Sequence, residues 1–103
     1  MISGNPEEKV ACQTPSPGKQ PTRIAKWKYD AIRKAILEVV PSTGDGVAFK
    51  DLANKVKDHL SPDMRKRVGS IPWYTVTVKL DMEVKGLIER VSGRGLQRIR
   101  RRK

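Results

Sequence analysis

Ser70-Ile71-Pro72-Trp73-Tyr74-Thr75-Val76-Thr77-Val78-Lys79-Leu80-Asp81-Met82-Glu83-Val84-Lys85-Gly86-Leu87-Ile88-Glu89-Arg90-Val91 is the stretch whose reading decides the fold. Ser70 can cap the free N–H groups of a first helical turn, and Pro72 sits where a missing N–H is harmless. Apolar side chains recur at Trp73, Val76, Leu80, Val84 and Leu87, steps of three and four that predict one buried helical face. Gly86 can end the helix, and Leu87 to Val91 continues as a short strand. Ser92-Gly93-Arg94-Gly95 then reads as a hairpin turn, with Leu96-Gln97-Arg98-Ile99 returning as a second strand. A helix followed by a two-stranded ribbon is the second half of a winged helix-turn-helix.

The preceding residues supply the first half. A helix is predicted from Ile24 or Ala25 to Val40, with Ile32, Ala35, Ile36 and Val39 at core spacing and Pro41 and Gly44 ending it. Its outer face, with Lys26, Lys28, Asp30, Arg33, Lys34 and Glu38, reads as ordinary solvated surface. Gly46-Val47-Ala48-Phe49 is an extended piece entering a second helix whose apolar face is Phe49, Leu52, Ala53, Val56 and Leu60. Ala48 falls at its N-cap and Asp51 three residues on, half of a capping box. Between Leu60 and Trp73, Ser61-Pro62 offers a start and Gly69 a stop, so an extra helical turn separates helices 2 and 3. The expected fold is α+β, mainly α: a three-helix core with that extra turn and a C-terminal two-stranded wing.

Residues 1–23 hold prolines at 6, 15, 17 and 21 and no periodicity. They read as a flexible Pro-rich arm, the alternative being an extended strap on the domain or a partner, with Lys19 and Arg23 as its positive points. The winged-helix domain is placed at residues 24–99 and a basic tail at 100–103. A chain of 103 residues has room for one small core. No apolar run suits a bilayer span and the start lacks a secretion signal, so a cytoplasmic protein is expected, with no membrane partner. One Cys12 and one His59 cannot assemble a disulfide or a metal set, and no cofactor is expected. His59 falls near the end of helix 2; Cys12 falls in the arm, where nothing nearby suggests an activated thiol. With no recognisable catalytic set among these residues and the acids, an enzyme is not expected.

With 22 Lys+Arg against 11 Asp+Glu the chain carries a net +11, which favours polyanions. More than half of that surplus lies in the last ten residues, where Arg94, Arg98, Arg100, Arg101, Arg102 and Lys103 meet no acid. A basic wing and tail suit phosphate contact, and Arg65, Lys66 and Arg67 in the extra turn could add to it; a solvated basic loop and a solubilising tail are the bland alternatives. If Val76, Leu80 and Val84 point inward, helix 3 presents Thr75, Val78, Lys79, Met82 and Lys85 outward, with Tyr74 on a flank. Thr75 and Lys79 could reach base edges and Val78 or Met82 a thymine methyl, although the helix lacks the Arg, Asn and Gln of bidentate readout. An exposed Val78 and Met82 would equally suit a partner protein or a dimer interface.

Lys28-Tyr29-Asp30-Ala31, the run from Trp73 to Arg90, and Thr14-Pro15 with Pro17-Gly18-Lys19 and Thr22-Arg23-Ile24 resemble a family of short, uncharacterised bacterial winged-helix proteins of unknown function. The likeness spans most of the chain from Thr14 onward. It implies a fold rather than an activity, and it leaves room for partial order in the arm. The sequence departs from the family pattern at Ala48, where Thr or Ser is usual.

The leading expectation is a DNA-binding transcriptional regulator, with helix 3 in the major groove of double-stranded DNA and the wing and tail on its backbone. The alternatives are a protein-interaction winged helix and an RNA- or ribosome-binding protein, and a monomer or weak homodimer is the expected state.

Overall fold

The computed structural model describes residues 8–14, 20–44, 46–91 and 97–102. The elements run β1 (Lys9–Cys12), β2 (Thr22–Ala25), α1 (Lys26–Val39), β3 (Val47–Ala48), α2 (Phe49–Asp58), α3 (Pro62–Val68), α4 (Ile71–Val84), β4 (Ile88–Val91) and β5 (Arg98–Arg101). Among the described residues this is an α+β fold, mainly helical, with four helices and two small antiparallel sheets.

Local chemistry sets most of the boundaries. Ser61 Oγ accepts the Met64 N–H at 3.1 Å to open α3, so the extra turn is a seven-residue helix. Ser70 Oγ caps α4 through the Trp73 N–H at 3.4 Å. At the far end of α4, Gly86 (φ 76°) gives its N–H to Glu83 O while Leu87 N–H reaches Met82 O, the paired bonds of a Schellman stop. Ala48 is the N-cap of α2, with no side-chain cap bond.

The sheet order β3-β5-β4 requires β3 to approach β5 closely, with Val47 opposite Ile99 and Ala48 opposite Arg98. Gly46 makes that approach feasible: its φ is 74°, and a Cβ there would lie 2.0 Å from Ile99 O. β4 pairs with β5 from Ile88 opposite Arg101 to Val91 opposite Arg98. Ile32, Ile36, Leu52, Val56, Val78, Met82, Ile88 and Ile99 fill the core between the helices and this sheet.

Both ends of the chain depart from the sequence reading. Lys9–Cys12 pairs antiparallel with Thr22–Ala25, Cys12 and Ile24 are buried in the core, and Glu8 O accepts the Lys26 N–H at 2.9 Å. The folded unit therefore includes residues assigned to a flexible arm, because the short inward alternation of Val10 and Cys12 is hidden in a Pro-rich composition. Arg100 and Arg101 belong to β5, so the sheet continues beyond Ile99 into the expected tail. The expected hairpin turn at 92–95, with Arg94, and residues 15–19 of the arm lie outside the described residues.

Candidate functional site

Helix α4, the third main helix of the sequence reading, turns its faces opposite to expectation. Thr75, Val78, Lys79 and Met82, assigned outward as base contacts, are buried together with Ile71 and Asp81. Trp73, Val76 and Val84, assigned inward, are 48, 38 and 46 % exposed, with Leu80 half-buried between them. The physical reason is that α4 carries two apolar series at helical spacing. Ile71, Val78 and Met82, with Thr75 on the same face, form the second, and packing against α1, α2 and β1 selects it.

Burying that face places three ionised groups inside, and each finds partners. Asp81 accepts from Gln13 N at 2.9 Å, Tyr29 OH at 2.5 Å and Lys85 Nζ at 2.8 Å, tying the segment after β1 to α1 and α4. Burial would raise the Asp81 pKa, but the bonds from Gln13, Lys85 and Tyr29 outweigh it and hold the carboxyl below its usual value. Lys85 is pushed up, chiefly by its bond to Asp81, and Tyr29 is pushed up by burial and its bond to the same carboxylate. Lys79 Nζ lies 2.5 Å from Glu83 Oε1 and 4.5 Å from the centre of the Phe49 ring, while Arg90 Nε lies 3.1 Å from Glu83 Oε2. Cys12 is close enough to this network that burial, and then the Asp81 charge, raise its thiol to about 11.

The remaining expected contacts are distributed over three surfaces. Tyr74 is half-buried, edge-on to Trp73 at 4.9 Å, and its OH accepts from Lys28 Nζ at 3.1 Å. Lys28 also lies 4.7 Å over the Tyr74 ring, and Arg67 lies 4.9 Å over Trp27. Arg65 is spent on the end of α2, where its Nε donates to Lys57 O and Leu60 O, whereas Lys66 is exposed.

The β5 arginines clamp the loop that follows α1. Arg98 donates to Gly46 O at 3.5 Å, Arg100 to Gly44 O at 3.2 Å and Glu89 at 2.9 Å, and Arg101 to Val40 O at 2.9 Å. Arg102 is exposed, 3.9 Å from Glu89. With Ser42, Thr43, Gly44 and the carboxylate of Glu89, Arg100, Arg101 and Arg102 line a shallow polar cleft.

The structure thus assembles the β5 arginines and the α3 cations but removes most of the expected α4 readers from the surface. What sequence reasoning missed is the outward stripe Trp73, Val76, Leu80 and Val84. The usable signal was the double spacing Lys79/Glu83 and Asp81/Lys85, two opposite-charge pairs four residues apart that can enter an interior as neutral pairs. Among the described residues no group of His, Cys, Asp and Glu could hold a metal ion, and no helix is long and apolar enough to cross a membrane.

The model of a family of unknown function, DUF6958, matches residues 9–99. No curated protein and no solved structure matches the chain.

Proposed function

We propose that this chain, which belongs to the DUF6958 family of unknown function, is a winged-helix module that uses the outward face of α4 to dock another protein. Support for the winged-helix reading comes from the order α1, β3, α2, α3, α4, β4, β5, with α3 as the extra turn, and from a sheet ordered β3-β5-β4. The single observation that carries the docking reading is the outward stripe of exposed Trp73, Val76 and Val84 with half-buried Leu80, on a helix whose charged residues Lys79, Asp81 and Glu83 are turned inward. A stripe of this kind offers base edges in a major groove no donor beyond the Trp73 indole N–H and no acceptor, but it suits a desolvated protein contact with an aromatic anchor. The function is binding, with no catalytic step assigned.

Panning a display library of helix-forming peptides against the full chain and a Val76→Asp, Val84→Asp variant tests this. Enrichment on the parent chain that the variant loses is the expected result. Enrichment indifferent to the two substitutions would overturn it.

A second reading, binding of double-stranded DNA through its phosphates, is favoured by the net charge of +11 and the arginine-lined cleft at β5. In that reading Lys66, Arg101 and Arg102 make the contacts, and sequence is read weakly. Selection from a random duplex library at near-physiological salt tests it: a sequence motif lost on Val76→Asp would return α4 to the groove.

A further inference from the structure

We infer that the occupant of the α4 stripe is an acidic amphipathic helix of a partner protein, a conclusion that rests on α4 being a docking face. The charges that reach solvent around the stripe are cations. The carboxylates of Asp81 and Glu83 are 0 and 8 % exposed, and of the cations that pair with them Lys79 is buried beside Glu83 while Lys85 and Arg90 project at 46 and 53 % exposure. Near the other end, Lys28 lies over Tyr74, which packs edge-on against Trp73, and over Trp27, whose ring also carries Arg67; neither cation is in an ion pair with a carboxylate among the described residues. An apolar ridge is therefore bounded at both ends by projecting cations.

A second copy of this chain fits badly. Antiparallel pairing of two α4 helices would bring Lys28 and Arg67 of one copy against Lys85 and Arg90 of the other, parallel pairing would set each end against itself, and each copy carries +11. A ridge of side chains at steps of three and four is received by the groove between ridges of another helix. From Trp73 to Val84 it spans about 16 Å, three turns of a partner helix. That helix would place apolar residues on Val76, Leu80 and Val84, and Glu or Asp at both ends of its apolar face.

The test uses the full chain and three labelled peptides of about 16 residues, followed by fluorescence anisotropy at near-physiological salt. One is an amphipathic helix flanked by Glu, one is the same helix flanked by Lys, and one is the Glu version interrupted by proline. The Glu helix is expected to bind about tenfold or more tightly than either of the others. Arg67→Glu, with folding checked by circular dichroism, is expected to weaken the Glu helix and strengthen the Lys helix.

Equal binding of the Glu and Lys helices would overturn the acidic partner. So would a chain that sediments as a dimer and is dissociated by Val76→Asp, or duplex DNA that displaces the Glu helix. If library peptides depend on Val76 and Val84 but are neutral or basic, only this inference fails; if none depends on them, the docking face itself fails.

Discussion

The two faces of α4 differ in the opposite sense from those of an ordinary surface helix. The inner face buries Thr75, Lys79 and Asp81 among Val78 and Met82, and the outer face exposes Trp73, Val76 and Val84 to solvent. The difference teaches that burial here follows partner availability rather than side-chain polarity. Asp81 has three donors and Glu83 two cations within reach, so charge enters the interior already compensated. The outer stripe has no such internal partner, and its apolar surface is the proposed docking face for another protein.

The comparison breaks most sharply at Asp81. Asp81→Ala leaves Lys85, Tyr29 and Gln13 without their common acceptor, and urea unfolding should show a loss of about 3–5 kcal/mol. Hydrogen exchange at the Gln13 amide should accelerate in the same variant, because its bond to Asp81 is gone.

Cys12 reports on the same inner face. With its thiol raised from 9.0 to about 11, alkylation at pH 8 should be slowed about a hundredfold by the smaller thiolate fraction alone, before burial is counted. Denaturant should restore the ordinary rate, and fast alkylation of the native chain would break the assignment of residues 9–12 to the fold.

Tyr29→Phe removes the bond donated to Asp81 and the one accepted from Lys85 while keeping the ring, and a loss of about 2 kcal/mol is expected in urea unfolding. Acid sharpens the comparison further. Because the Asp81 pKa is lower in the folded chain than in the unfolded one, its contribution is fully present above the unfolded value of about 4 and is lost as pH falls through the folded value. Below about pH 4, stability should therefore fall more steeply in the parent chain than in Asp81→Asn.

The smallest effect belongs to the outer face. Val84→Lys should leave stability within about 0.5 kcal/mol of the parent chain, since it alters an exposed side chain with no polar partner to lose. A large loss there would mean that the stripe supports the fold rather than a partner.

Much of this architecture was legible in the sequence because it is written in local chemistry. Ser61-Pro62 and Ser70-Ile71-Pro72 open helices, Gly86 closes one, and Gly46-Val47-Ala48 enters α2 as an extended piece, all within the short range over which caps and turns act. The chain by itself thus determined its helices, the strands β4 and β5 and a surplus of positive charge. It did not determine which side of α4 is inside. Two apolar series, one from Ile71 and one from Trp73, have the same spacing, so periodicity gives no direction.

Only the tertiary structure decided that, by bringing Tyr29 and Gln13 to Asp81, and Phe49 and Arg90 to the Lys79–Glu83 pair. It also decided that Lys9–Cys12 is a strand and that the β5 arginines close the loop after α1. The physical reason is common to all three. The free energy of burying a charge or ordering a polar segment depends on groups distant in the chain, and a local pattern holds no record of them.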